Sequence, residues 1–89
     1  MRSVYVLVNN DGTNQGGSGI SSTSREGKGN YFVNYEKPFS QSPGVSATPW
    51  GTGVLCSVNV LAENTCEVLV TDLQGNLIDS GFAFLAVGD

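Results

Sequence analysis

The sequence contains no histidine, and this absence argues against the commonest forms of enzyme catalysis. A serine or cysteine nucleophile would lack its usual general base, because imidazole is the side chain that most often accepts the proton of such a nucleophile. Neither of the two cysteines lies in a charged setting that would activate its thiol. We therefore predict that the chain is not an enzyme and that it uses no cofactor.

Charged side chains and long apolar runs are also scarce. Charged residues make up 13% of the chain, and eight acidic against four basic residues give a net charge of -4. Binding to phosphate backbones needs several Lys or Arg side chains, so nucleic acid is not an expected partner. No run approaches the roughly 20 apolar residues that span a bilayer. No secretion signal is visible at the amino terminus, and we expect a soluble chain without membrane insertion.

The residues that are abundant favour short strands joined by turns. Twelve glycines accompany many Ser, Thr and Asn residues, whereas a helical bundle would use more Ala, Leu, Glu and Lys. A chain of 89 residues is expected to form one domain. Apolar segments bounded by Gly, Pro, Asn or Asp predict strands at 4–9, 30–36, 44–49, 54–61, 65–71 and 81–87. The predicted fold is all-β, a small antiparallel β-sandwich of about six or seven strands that spans residues 1–89.

One long segment does not follow the strand pattern. Residues 11–29 are rich in Gly, Ser, Thr and Asn and contain almost no apolar side chain. We expect a long polar surface loop there, with at most a short strand near residues 20–24, because such a segment adds little to a core. Its stretch 21–28 fits either a loop that reads a receptor or an inert linker.

The clearest hairpin joins residues 54–61 to residues 65–71. Asn64 is expected to close a three-residue loop at its tip in the left-handed conformation. In the register that this tip imposes, Cys56 and Cys66 lie more than roughly 10 Å apart, too far for a disulfide. We predict two free thiols that serve as small core hydrophobes rather than in a metal or redox site.

Two segments are apolar on both faces of the strands they predict, namely residues 4–8 (VYVLV) and 82–87 (FAFLAV). A strand on the solvent side of a lone sandwich alternates instead, and a domain this small has no third layer to cover a second apolar face. Either other copies of the chain cover it about a symmetry axis, or the segment 11–29 folds over it. We expect a contact between copies formed by these six residues: Val4, Val6, Val8, Phe82, Phe84 and Ala86.

Trp50 lies between a proline and the Gly51–Gly53 turn, in or beside a predicted loop. An exposed indole offers a flat apolar face to a sugar ring, and Thr48, Thr52 and nearby carboxylates would add hydrogen bonds. Alternatively, a Trp at a strand end closes the open edge of a small sandwich or packs across a subunit contact.

The nearby carboxylates are those of Asp72 and Asp79, which flank a predicted turn at Gly75. Across a hairpin such a pair could perform acid-base chemistry or bind Ca²⁺ through its oxygens. More often such residues cap turns through backbone amides, and we predict no metal site. Both residues join Trp50, Thr48 and Thr52 in the candidate ligand-binding set.

Short motifs follow one another along nearly the whole chain. Residues 4–12 (VYVLVNNDG) open it, and residues 29–35 (GNYFVNY), 38–40 (PFS) and 43–48 (PGVSAT) form a central group. Residues 74–88 (QGNLIDSGFAFLAVG) close it. The central and closing motifs resemble the β-rich carboxy-terminal domains of phage tail-fibre and collagen-like fibre proteins, and the opening is similar to that of related bacterial extracytoplasmic proteins. The layout is also similar to that of H-type lectins.

The resemblance to fibre domains implies a homotrimeric, adhesive fibre tip on a virion or another extracellular appendage. Such a domain would bind a cell-surface glycan or another surface receptor, and symmetry would combine weak contacts into avidity. The resemblance to H-type lectins implies instead a free-standing soluble trimer that binds carbohydrate. Fold alone does not establish a ligand, so both expectations depend on the binding site.

Overall fold

Eight β-strands and no helix make up the computed structural model, which describes residues 1–89. The strands are β1 (Arg2–Val8), β2 (Asn14–Ser18), β3 (Ile20–Gly27), β4 (Asn30–Tyr35), β5 (Gly44–Pro49), β6 (Val54–Ala62), β7 (Thr65–Asp72) and β8 (Phe82–Gly88). They form a first sheet of order β2-β1-β8-β5 and a second sheet of order β3-β4-β7-β6, with antiparallel neighbours throughout. The prediction of an all-β antiparallel sandwich is confirmed. The structure contains no helix that could cross a membrane.

The core lies between the two sheets and is built mainly by alternate residues of their central strands, with Ile20 of the edge strand β3 and Phe39 between β4 and β5. Successive side chains of a strand point to opposite faces, so one apolar row of each strand turns inward. No polar or charged residue is buried among them. The cluster contains 14 residues: Val4, Val6, Val8, Ile20, Tyr31, Val33, Tyr35, Phe39, Cys66, Val68, Val70, Phe82, Phe84 and Ala86.

The six residues predicted to contact another copy belong to this core, so that prediction is wrong. They are Val4, Val6, Val8, Phe82, Phe84 and Ala86, and each is at most 2% exposed. Both faces of β1 and β8 are apolar, and periodicity does not show which face turns inward. The outward row instead consists of Tyr5, Leu7, Ala83, Leu85 and Val87, with Tyr5 48% and Leu85 45% exposed.

The segment 11–29 is not a long surface loop, so the prediction of a polar loop there is wrong. Most of it forms β2 and β3, which extend the two sheets on the same side of the sandwich. Polar strands form there because β1 and β4 offer edges whose backbone groups need partners, although the segment brings little apolar area. The segment therefore pairs edge to edge and leaves the outward row of β1 and β8 uncovered.

The β6–β7 hairpin has the predicted register, with Val60 opposite Cys66 and Cys56 opposite Val70. Both thiols are free, which confirms the prediction. Burial raises the pKa of each thiol, as expected for small core side chains. The tip differs, because no residue other than glycine has a positive φ and Asn64 is therefore not left-handed. A bulge after Val60 adjusts the register instead.

Candidate functional site

A shallow groove lies at one end of the sandwich, beside Trp50. Because β1 and β5 run antiparallel to the strand between them, both end where β8 begins, and their loops meet there. We call this feature the Trp50 groove; its lining residues are Asn9, Asn10, Trp50, Gly51, Asp79, Ser80 and Gly81. A second depression adjoins it and is lined by Asn10, Asp11, Arg25 and Asp79.

Trp50 is 51% exposed but held firmly against the backbone. The backbone N–H of Trp50 donates a hydrogen bond to the carbonyl oxygen of Gly81 at 3.1 Å. A β-carbon built on Gly81 would lie 2.4 Å from Cε3 and 2.6 Å from Cζ3 of the indole, so only glycine lets the ring pack so closely. The indole thus closes a strand end and at the same time presents about half of its surface to solvent.

Asp79 forms a clasp between the segment before β8 and the second sheet. Its Oδ1 accepts hydrogen bonds from the Nε of Arg25 at 3.0 Å and from the N–H of Gly29 at 2.9 Å. Its Oδ2 lies 2.9 Å from Nη2 of Arg25. The Arg25 guanidinium, with the Gly29 N–H next in importance, lowers the pKa of Asp79 below its ordinary value. The carboxylate therefore forms a fixed, negatively charged wall of the groove.

Tyr31 joins this clasp to the β1–β2 turn. Its hydroxyl donates to the carbonyl oxygen of Asn10 at 2.7 Å and lies 3.3 Å from Oδ1 of Asp79. Within the turn, Oδ1 of Asp11 accepts hydrogen bonds from the N–H of Thr13 at 3.0 Å and from its hydroxyl at 2.7 Å. These bonds fix the backbone of the turn at Asn10, so this exposed residue lies at the rim of the groove.

Asp72 does not approach this site, which separates the two predicted carboxylates. Its Oδ1 accepts hydrogen bonds from the N–H groups of Asn76 at 3.0 Å and Gln74 at 2.9 Å. The Asn76 N–H is the main cause of the lowered pKa of Asp72. Asp72 therefore caps a turn through backbone amides, which is the commoner role given above for such carboxylates. No group of three or more metal-ligating side chains comes together in the structure.

Of the five predicted ligand-binding residues, only Trp50 and Asp79 line the groove. Thr48 points to the outer face of the first sheet, opposite Ala83, and Thr52 is exposed in the turn after Trp50. Three polar lining residues were not predicted, namely Asn9, Asn10 and Ser80. Asn9 ends the predicted strand 4–9 and Asn10 follows it, but only the sheet order brings these two residues to Trp50.

The Asp79 clasp predicts a pH dependence of stability. An aspartate with a lowered pKa in the folded state stabilises the fold above its unfolded pKa, and this stabilisation is lost as the pH falls through the folded pKa. At pH 7 we expect Asp79→Asn to melt at a lower temperature than the wild type. The difference should begin to shrink below about pH 4, the ordinary pKa of an aspartate in the unfolded chain, and should disappear as the pH falls through the lower pKa of the folded Asp79.

Thermal melts between pH 7 and pH 2 measure this difference. Glu63→Gln, at the exposed tip of the β6–β7 hairpin, is the control and should follow the wild type at every pH. A melting difference between Asp79→Asn and the wild type that stays constant at low pH would contradict the clasp.

Comparison of the chain with protein-family models, with curated proteins and with solved structures gives no match.

Proposed function

We propose that this chain is a non-enzymatic, trimeric fibre-tip domain that binds a cell-surface glycan in the Trp50 groove, on a virion or another extracellular appendage. The half-exposed indole fixed on Gly81 carries the proposal. A pyranose ring has an apolar face of C–H groups that stacks on an aromatic ring, and hydroxyls at its edge that need hydrogen-bond partners. The fibre and lectin resemblances both favour carbohydrate as the ligand class.

The polar groups around the indole have the chemistry for those hydroxyls. The side-chain amides of Asn9 and Asn10 offer donors and acceptors, the Ser80 hydroxyl offers both, and Asp79 offers carboxylate oxygens. The groove is shallow and makes few contacts with any one sugar. Weak single-site binding is useful when symmetry presents several sites to one cell surface.

The groove is also organised before a ligand arrives. Trp50 rests on Gly81, Asp79 is held by Arg25, and the turn that carries Asn10 is closed by its own hydrogen bonds. Little conformational entropy is then lost on binding, which favours recognition by a small contact area.

The outer face of the first sheet supports assembly of several copies. Its outward row of Tyr5, Leu7, Ala83, Leu85 and Val87 is flanked by small residues, with Gly16 and Ser18 on β2 and Ser46 and Thr48 on β5. Small flanks let another surface approach the apolar row closely. We place the three-fold contact at this face, which is the uncovered face of the two strands that are apolar on both sides.

Replacing Trp50 by alanine tests the glycan site. On a glycan array we expect binding to fall at least about tenfold, because the stacking surface is lost while the fold is kept. Trp50→Phe is the matched variant and should retain most of the binding, since phenylalanine still offers an aromatic face. The proposal fails if folded Trp50→Ala binds every glycan that the wild type binds, or if the wild type binds none.

A further inference from the structure

The two long sides of the sandwich differ in how they are closed. On the side of β2 and β3, polar inward side chains bridge the two sheets. The hydroxyl of Thr23 donates to the carbonyl oxygen of Gly12 at 2.8 Å, and Arg25 pairs with Asp79. Bulges interrupt the register of both of these edge strands. Bulges and charges are the usual devices that keep a free edge from pairing with another chain.

The side of β5 and β6 has no such closure, and we call it the open side. No hydrogen bond joins β5 to β6, although they face each other as edges of the two sheets. The inward side chains there are apolar and only partly buried, and Val60 is 46% exposed. The others are Val45, Ala47, Val54, Cys56 and Val58. Next to the hairpin tip the open side continues into a depression beside Phe39 and Pro43.

Strand β6 is the less protected of the edges, since its single bulge lies near its end, after Val60, and leaves the register regular from Val54 to Val60. It has nine residues, more than any other strand, and contains no charged residue, proline or glycine. Its other face is partly apolar as well, with Leu55 51% and Leu61 50% exposed. A long, apolar, uncharged edge presents a row of unpaired backbone N–H and C=O groups that matches another strand.

We propose that β6 pairs antiparallel with β6 of a second copy of this chain about a two-fold axis. An identical edge supplies the missing backbone partners and the same apolar rows, and a two-fold contact pairs both β6 edges with each other. Each copy carries a net charge of -4, and the two β6 strands that meet carry no charged side chain themselves.

The size of the open side is sufficient for a stable contact. The molecule measures 36 × 21 × 20 Å, and the nine residues of β6 span roughly 30 Å at about 3.3 Å per residue. A copy seated along the whole side would cover roughly 700 Å² per partner, close to the roughly 800 Å² of a standard protein interface.

This contact is separate from the proposed three-fold contact and does not rest on it. The two-fold axis lies at the β6 edge, whereas the three-fold contact uses the outer face of the first sheet. Together they predict six chains, and the β6 contact alone predicts two. Mass measurements therefore distinguish the failure of one proposal from the failure of the other.

The test is a double variant, Ser57→Lys with Asn59→Lys, studied by native mass spectrometry and sedimentation. Both residues are exposed on the outer face of β6, so the fold should persist. Like charges on paired strands destabilise the pairing, and we expect the assembly mass to fall twofold. Ser22→Lys with Ser24→Lys is the control, because it adds the same two lysines at the same spacing on the outer face of β3, and it should keep the wild-type mass.

Thiol labelling provides a second measurement, because Cys66 is completely buried and Cys56 is not. Labelling of Cys56 should slow as the wild-type concentration rises through the assembly range, and should not slow in the β6 variant.

An odd number of chains in the wild type, a single chain included, overturns the β6 contact. An unchanged mass in the β6 variant, or an equal loss in the β3 control, overturns it too. A wild-type dimer that the β6 variant makes monomeric supports the β6 contact and refutes the trimer.

Discussion

Replacing Gly81 by valine is expected to lower the free energy of unfolding by about 1–3 kcal/mol and to abolish ligand binding in the Trp50 groove. The new side chain would occupy the space of the indole, since a β-carbon there would lie 2.4 Å from Cε3 of Trp50 and 3.1 Å from the carbonyl oxygen of Val8. The φ of Gly81 is not in the left-handed region, so the cost is steric rather than a backbone preference. Either the strand end shifts or Trp50 leaves its position.

Chemical denaturation measures the stability change, and the fluorescence of the single tryptophan reports its displacement. Gly27→Val is the control, because a β-carbon on Gly27 meets no atom within 4 Å. It should leave both Trp50 fluorescence and glycan binding unchanged. A Gly81→Val variant with wild-type stability and wild-type tryptophan fluorescence would show that the indole does not depend on this contact.

Replacing Phe84 by alanine is expected to destabilise the fold by about 3–5 kcal/mol. Phe84 is 1% exposed, lies opposite Val6 and Ala47 in the first sheet, and has its ring centroid 6.3 Å from that of Tyr35. Removing the ring leaves a cavity where the two sheets meet. Domains of this size have total stabilities of about 5–15 kcal/mol, so a large part of the fold's stability depends on this one side chain.

Leu85→Ala is the matched variant, because Leu85 is the next residue of β8 and points to the opposite face. With 45% of its surface exposed, Leu85 contributes little to the core, and its loss should leave the unfolding free energy of a subunit nearly unchanged. We expect it to weaken the three-fold assembly instead. Equal destabilisation by the two variants would contradict the assignment of inner and outer faces, and an undiminished assembly in Leu85→Ala would argue against the three-fold contact.

Local patterns in the sequence determined most of the strands and their pairing within a hairpin. The alternation of apolar residues from Val54 to Val70 predicts β6, β7 and their register, and with them the two free thiols. These features depend on neighbouring residues and on the two-residue period of a strand, both of which are visible in the sequence. The six strands predicted from apolar segments are all present within one or two residues of their expected bounds.

Only the tertiary structure decided the features that depend on distant partners. Strands β2 and β3 form because β1 and β4 offer free edges, and a polar segment carries no apolar signal of that pairing. The Asp79 clasp and the approach of Asn10 to Trp50 likewise join residues far apart in the chain. The inward faces of β1 and β8 were decided by packing between the sheets, because an apolar pattern on both faces of a strand is unchanged when the strand is turned over.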